Sequence, residues 1–155
     1  MPSDLRAVIK QTKPFTTAEQ EAHLNLERTA AVVSHAFGEA LKRYGVTPTQ
    51  YNVLRILRGA GSTGLCRNEV RDRMIAQVPD VTRLLDRLEE SGLVERERLT
   101  SDRRQVATRI TAKGLALLAE LDAPVMAIHK RAFGHMTPEQ LATLIELLTI
   151  ARNGE

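Results

Sequence analysis

The chain has 155 residues, 43% of them hydrophobic, which suits one folded domain with its own core and excludes a wholly disordered protein. Aromatic residues make up only 3% and tryptophan is absent, so the core is expected from Leu, Val, Ile and Ala, and stacking on single-stranded bases is disfavoured. A net charge of +3 is too small to identify a polyanionic partner, so the placement of the charges decides more than their sum.

Residues 1–15 read as an arm without assigned structure, ended by Pro14 and lacking an apolar run of signal length. Residues 16–46 carry one long helix, because Leu26, Ala30, Val33, Phe37, Leu41 and Tyr44 recur every three or four residues and Gly45 is a stop signal. Thr47 then caps a new helix, with Pro48 in its first position and Gln50 three residues after the cap, the pattern of a reciprocal capping box. Val53, Leu54 and Leu57 form its buried stripe.

Residues 47–111 continue as a compact unit. In LCRNEVRDRMIAQ, Cys66, Val70 and Met74 recur at four-residue spacing, which predicts a short helix with the thiol on its buried face. A second short helix is predicted from about Pro79 to Glu90, with Pro79 in its first turn and Gly92 at its exit. Val81, Leu84, Leu85 and Leu88 share its inner side, and Pro79, Asp80, Thr82, Arg83, Asp86 and Arg87 share the outer one. Arg83 and Arg87 stand one turn apart, and arginine's planar fork can chelate a guanine edge or grip a phosphate. The alternative is a solvated face with an Asp80–Arg83 ion pair.

The stretch LTSDRRQVATRIT, Leu99 to Thr111, follows RERL and reads as a β-hairpin: Leu99, Val106 and Ile110 alternate with polar residues, and Ser101 and Asp102 favour a turn. Ten arginines, no lysine and nine acids lie between Arg67 and Arg109, a net of +1; five of the arginines lie between Arg96 and Arg109 against Glu97 and Asp102, a net of +3. Arginine is the side chain best suited to a narrow minor groove, so the tip with Arg103 and Arg104 is a candidate groove probe. Against this, Glu95 and Glu97 are able to neutralise the arms.

Residues 112–155 hold a helix from about Ala112 to Phe133 and a last one opened by a second capping box at Thr137 to Gln140. Leu118, Leu121, Val125 and Ile128, with Leu141, Leu144, Ile145 and Leu148, are expected to present more apolar surface than one unit covers, which two copies bury. The predicted fold class is mainly α with a small β-hairpin, a winged helix-turn-helix between long terminal helices.

TPTQYNVLRIL, PDVTRLLDRLEESGLVERE and SDRRQVATRITAKG, in this order and spacing, resemble the MarR family of bacterial and archaeal transcription regulators over roughly residues 17–151. The resemblance implies a homodimer with interlocked first and last helices, bound to double-stranded DNA at a palindromic operator, most often as a repressor. It implies that the helix from about Pro79 to Glu90 is the recognition helix, that Arg104 enters the minor groove and that Asp102 braces the wing. It also implies a pocket for a small aromatic effector, for which Phe37, Tyr51 and His35 are candidates alongside core or surface roles. One stretch departs from the family pattern: MIAQVPD has no glycine and Val78 is a poor cap, leaving open which of Pro79, Asp80 and Thr82 faces bases. The predicted DNA-binding set is Pro79, Asp80, Thr82, Arg83, Arg87, Arg103 and Arg104.

Other chemistry has little support. No Gly-rich phosphate loop, nucleophile elbow or H-E-x-x-H occurs, and the paired acids Glu89 and Glu90 sit at a helix end where solvent suffices. His23, His35, His129 and His135 have no metal-ligand spacing with one another or with Cys66, so neither enzyme activity, cofactor nor metal is expected. The single cysteine rules out an internal disulfide and fits a reducing compartment; with no window of about 20 apolar residues, a cytoplasmic protein without membrane contact is predicted. Two rival readings stand: a winged helix that binds proteins, which should expose apolar residues on its second helix, and a redox sensor using Cys66, which needs an exposed, thiolate-stabilising setting.

Overall fold

Four helices begin on a threonine hydroxyl oxygen that accepts an otherwise orphan backbone N–H. Thr17 accepts the Gln20 N–H and opens α2 (Ala18–Lys42), and Thr47 with Gln50 forms a complete capping box at α3 (Pro48–Ala60). Thr111 accepts the Gly114 N–H at α6 (Ala112–Phe133), and Thr137 with Gln140 repeats the box at α7 (Pro138–Arg152). At α3 and α7 the computed structural model, which describes residues 4–100 and 105–154, agrees with the sequence in position and mechanism; the caps at Thr17 and Thr111 are additional.

Between α3 and α6 lie a two-residue strand β1 (Leu65–Cys66), α4 (Arg67–Arg73), α5 (Val81–Glu90), β2 (Val94–Arg98) and β3 (Val106–Ile110). The strands form an antiparallel sheet in the order β1-β3-β2, with Val94 opposite Ile110, Arg98 opposite Val106 and Leu65 opposite Thr108. The Leu99 N–H donates to the Gln105 carbonyl at 2.9 Å and carries the hairpin one step beyond the strands. The fold is mainly α with a small antiparallel sheet, a winged helix-turn-helix between longer helices. Its core joins Leu41 of α2, Val53, Leu54 and Leu57 of α3, Val70 of α4, Leu85 and Leu88 of α5, and Leu118 and Leu121 of α6. Among the described residues no helix is long and apolar enough to cross a membrane.

Several expectations need correction. The arm contains a short helix, α1 (Leu5–Val8), with Leu5 buried and the Arg6 guanidinium donating to the Thr12 carbonyl at 3.0 Å. The predicted alternation of β3 is lost: Ala107 and Thr108 are both buried, whereas Val106 is exposed. β3 is paired on both edges and packed against α3, α4 and α6, and two adjacent residues of the strand are buried, so period two does not separate inside from outside. Leu118, Leu121 and Val125, expected on a surface between copies, are buried in the chain's own core. The apolar excess lies elsewhere: α7 buries no residue, Ile145 and Ile150 are 65% and 61% exposed, and Met126 of α6 is 67% exposed.

Candidate nucleic-acid interface

The interface is built around α5. Its capping residue is Asp80, whose carboxylate accepts the backbone N–H of Arg83 at 2.9 Å, and Pro79 lies just outside the helix rather than in its first turn. Asp80 therefore fills the role that Val78 could not, and the alternative Asp80–Arg83 side-chain ion pair is absent among the described residues. At the other end Gly92, with φ +71°, donates to the Glu89 carbonyl while Leu93 donates to that of Leu88, a Schellman closure that turns the chain into β2. Val81, Leu85 and Leu88 are buried beneath the helix; Thr82, Arg83 and Arg87 stand exposed on its outer side, as predicted.

The outer ridge carries less free charge of either sign than the sequence suggests. Arg96 on β2 reaches back to α5, its Nε donating to Glu89 at 2.8 Å and its Nη2 to Asp86 at 2.6 Å. The hydrogen bonding of the guanidinium to the Glu89 carboxylate is the main reason it is held above its ordinary pKa. Arg109 on β3 pairs with Glu97 on β2 at 2.6 Å. Two of the five hairpin arginines thus act within the structure, and the net +3 counted there overstates what the arms offer a partner. Two acids of α5 are engaged by Arg96, leaving Arg83 and Arg87 without a carboxylate partner among the described residues. Asp102, Arg103 and Arg104 lie outside the described residues.

Cys66 is corrected too. It is not on the buried face of a helix; it ends β1 and caps α4, half-buried, with its N–H donating to Glu69 at 2.8 Å. That bond is the first cause holding the Glu69 carboxyl below its ordinary pKa. The thiol lines a cleft of about 400 Å³ between α4, α5 and the hairpin, with Arg67, Asn68, Thr82, Arg96 and Gln105 among its walls. Sequence reasoning missed Arg67, Asn68 and Gln105 as neighbours of Thr82. The contact that joins them, Arg67 Nη1 donating to Thr82 Oγ1 at 3.3 Å, spans fifteen residues and two elements, beyond any helical period.

A second cavity, about 320 Å³, opens between α2, α3, α6 and the turn leading into α5. Phe37 meets Tyr51 edge-on at 5.6 Å between ring centroids and stacks on His129 at 5.8 Å. Burial pushes the Tyr51 phenol above its ordinary pKa despite the Arg55 guanidinium 6.0 Å from its ring. Of the three candidates for the pocket that the resemblance implies, Phe37 and Tyr51 line this cavity, together with His129, and His35 does not.

Comparison with known proteins gives one consistent family. The model of the MarR family matches residues 46–106, the segment holding the two short helices and most of the hairpin. The HTH-type transcriptional repressor MdtR of Bacillus subtilis is 31% identical over 121 residues, covering 78% of this chain and 77% of that one. The MarR transcription factor of Planctomyces limnophilus superposes with a TM-score of 0.69 and 37% identity over 88% of this chain and 99% of that one. A mutant MarR of Escherichia coli complexed with operator DNA superposes with a TM-score of 0.74 and 26% identity, over 81% and 89%.

Proposed function

The chain belongs to the MarR family of DNA-binding transcription regulators, which are not enzymes, and from that premise we propose that it is a homodimeric repressor, reading a palindromic operator and released by a small aromatic effector. The observation that carries this reading is the outer ridge of α5, where Thr82, Arg83 and Arg87 are exposed and the apolar side chains point the other way. Such a helix offers hydrogen-bond donors to the major groove and no apolar patch to a protein, which disfavours the protein-binding alternative. Thr82 and Arg83, in the first turn, reach base edges; Arg87, one turn on, reaches a base or the backbone. Asp80 is occupied by its cap, so with Pro79 it sets the entry of the helix.

The wing completes the site. Arg103 and Arg104 at the hairpin tip enter the adjacent minor groove, and Asp102 holds the arginine in position. The second chain is called for by α7, a helix of fifteen residues that buries none of them against its own chain. The cavity beside Phe37, Tyr51 and His129 suits a flat apolar molecule, with Arg55 on its polar side. Met74 and Ile75 of the turn into α5 form one wall, and the Ile75 N–H is tied to Asn52 Oδ1 at 3.0 Å. An occupant that shifts this turn moves the start of α5, which is how binding there would release DNA. A repressor of this kind works in the cytoplasm.

Arg83→Ala tests the reading. Loss of a bidentate base contact should cost about 1–3 kcal/mol on an operator selected from a random duplex pool and relax the preference at one position. An equal loss on all sequences would assign Arg83 to phosphate, and no loss on any duplex would remove α5 from the groove.

A further inference from the structure

Of the residues lining the cleft beside Cys66, Thr82 alone belongs to the set expected to touch DNA, yet the cleft lies between the two elements assigned to the grooves. In a B-form duplex a single sugar-phosphate strand separates the major groove from the neighbouring minor groove. A protein with α5 in one and the hairpin in the other straddles that strand, and the space between α5 and the hairpin is the cleft of about 400 Å³. Resting on the DNA-binding reading above, we propose that this cleft is a phosphate clamp, with Arg67 as its cation and Asn68 and Gln105 as neutral donors.

The chemistry of the walls supports a phosphodiester over any other occupant. Among the described residues no carboxylate lines the cleft. The nearest acid on α4, Glu69, is turned to the Cys66 N–H. Arg96 lines the cleft but is held by Glu89 and Asp86, so its charge is already balanced. Arg67 is different: it is exposed, and its recorded partner is the neutral hydroxyl of Thr82. A phosphate oxygen seated there gains a charge-assisted bond without displacing an acid. The Arg67–Thr82 bond sets this cation beside the first turn of α5.

The test compares Arg67→Gln and Arg67→Lys with the wild-type protein on the pool-selected operator and on a random duplex, at several salt concentrations. A phosphate contact predicts that Arg67→Gln weakens both duplexes by a similar factor and lowers the slope of log affinity against log salt by about 1 per chain, while Arg67→Lys restores the slope. Cys66, the only cysteine, supplies a readout independent of the mutation: either duplex should slow maleimide labelling of the wild-type thiol, since the strand covers it. Thermal unfolding of Arg67→Gln near the wild-type midpoint shows that the variant is folded; if it is not, the Cys66 protection decides alone. An unchanged slope in folded Arg67→Gln, a loss confined to the operator, or an unprotected thiol overturns the clamp. Wild-type protein that binds neither duplex overturns the DNA reading instead.

Discussion

Asp80 shows how much can hang on one carboxylate. It precedes α5, accepts the Arg83 N–H, and so fixes the backbone from which Thr82 and Arg83 project. Asp80→Ala should lower stability by about 0.5–2 kcal/mol in urea unfolding, and Asp80→Asn, which keeps the acceptor, should lose far less. Equal losses in both would mean that the charge rather than the cap matters. The sequence reading had Pro79 inside the helix because proline fits a first turn, but two rules competed there. An aspartate one residue later, with an N–H in reach three residues on, is the stronger start signal. Cys66 was misread for a related reason: spacing of four suggests a helical face, yet the residue sits where a strand ends and a helix begins.

At the scale of elements, what is local was legible and what is long-range was not. The capping boxes at Thr47 and Thr137 and the full extent of α6 could be read directly, since each is decided within a few residues. β1 could not: two residues become a strand only by pairing with Thr108 and Ala107, some forty positions away. The docking of α6 on the hairpin is equally hidden. A Cβ on Gly114 would lie 2.5 Å from the Leu93 carbonyl oxygen and 2.7 Å from Ile110 Cγ1, so only glycine lets the two elements close. Gly114→Ala should therefore destabilise by about 1–3 kcal/mol through overpacking. Gly59, inside α3 with nothing within 4 Å of its Cβ position, gives the opposite sign: Gly59→Ala should stabilise by about 0.5–1 kcal/mol. Denaturant midpoints of the pair check both, and a neutral Gly114→Ala would contradict the close approach.

In the whole molecule, the apolar residues of α6 divide between two duties that sequence spacing cannot tell apart. Leu118, Leu121 and Val125 complete the core of their own chain, while Met126 is left outside with Ile145, Leu147 and Ile150 of α7. A helix that is apolar on more than one side reads the same whether a second layer comes from its own chain or from a partner. If a second copy covers α7, the combined Ile145→Glu and Leu147→Glu variant should move the light-scattering mass from two chains toward one, since each change sets a charge in a dry interface. A wild-type mass of one chain would contradict the dimer. Pairing two chains matters because it sets two copies of α5 at a fixed separation. Guanine N7 methylation interference on the pool-selected operator tests this most directly, because that atom lies in the major groove where Arg83 and Arg87 are expected. Two patches of interference on one face of the duplex, centred about 10 base pairs apart, are predicted. A single patch, or binding insensitive to N7 methylation, would contradict it.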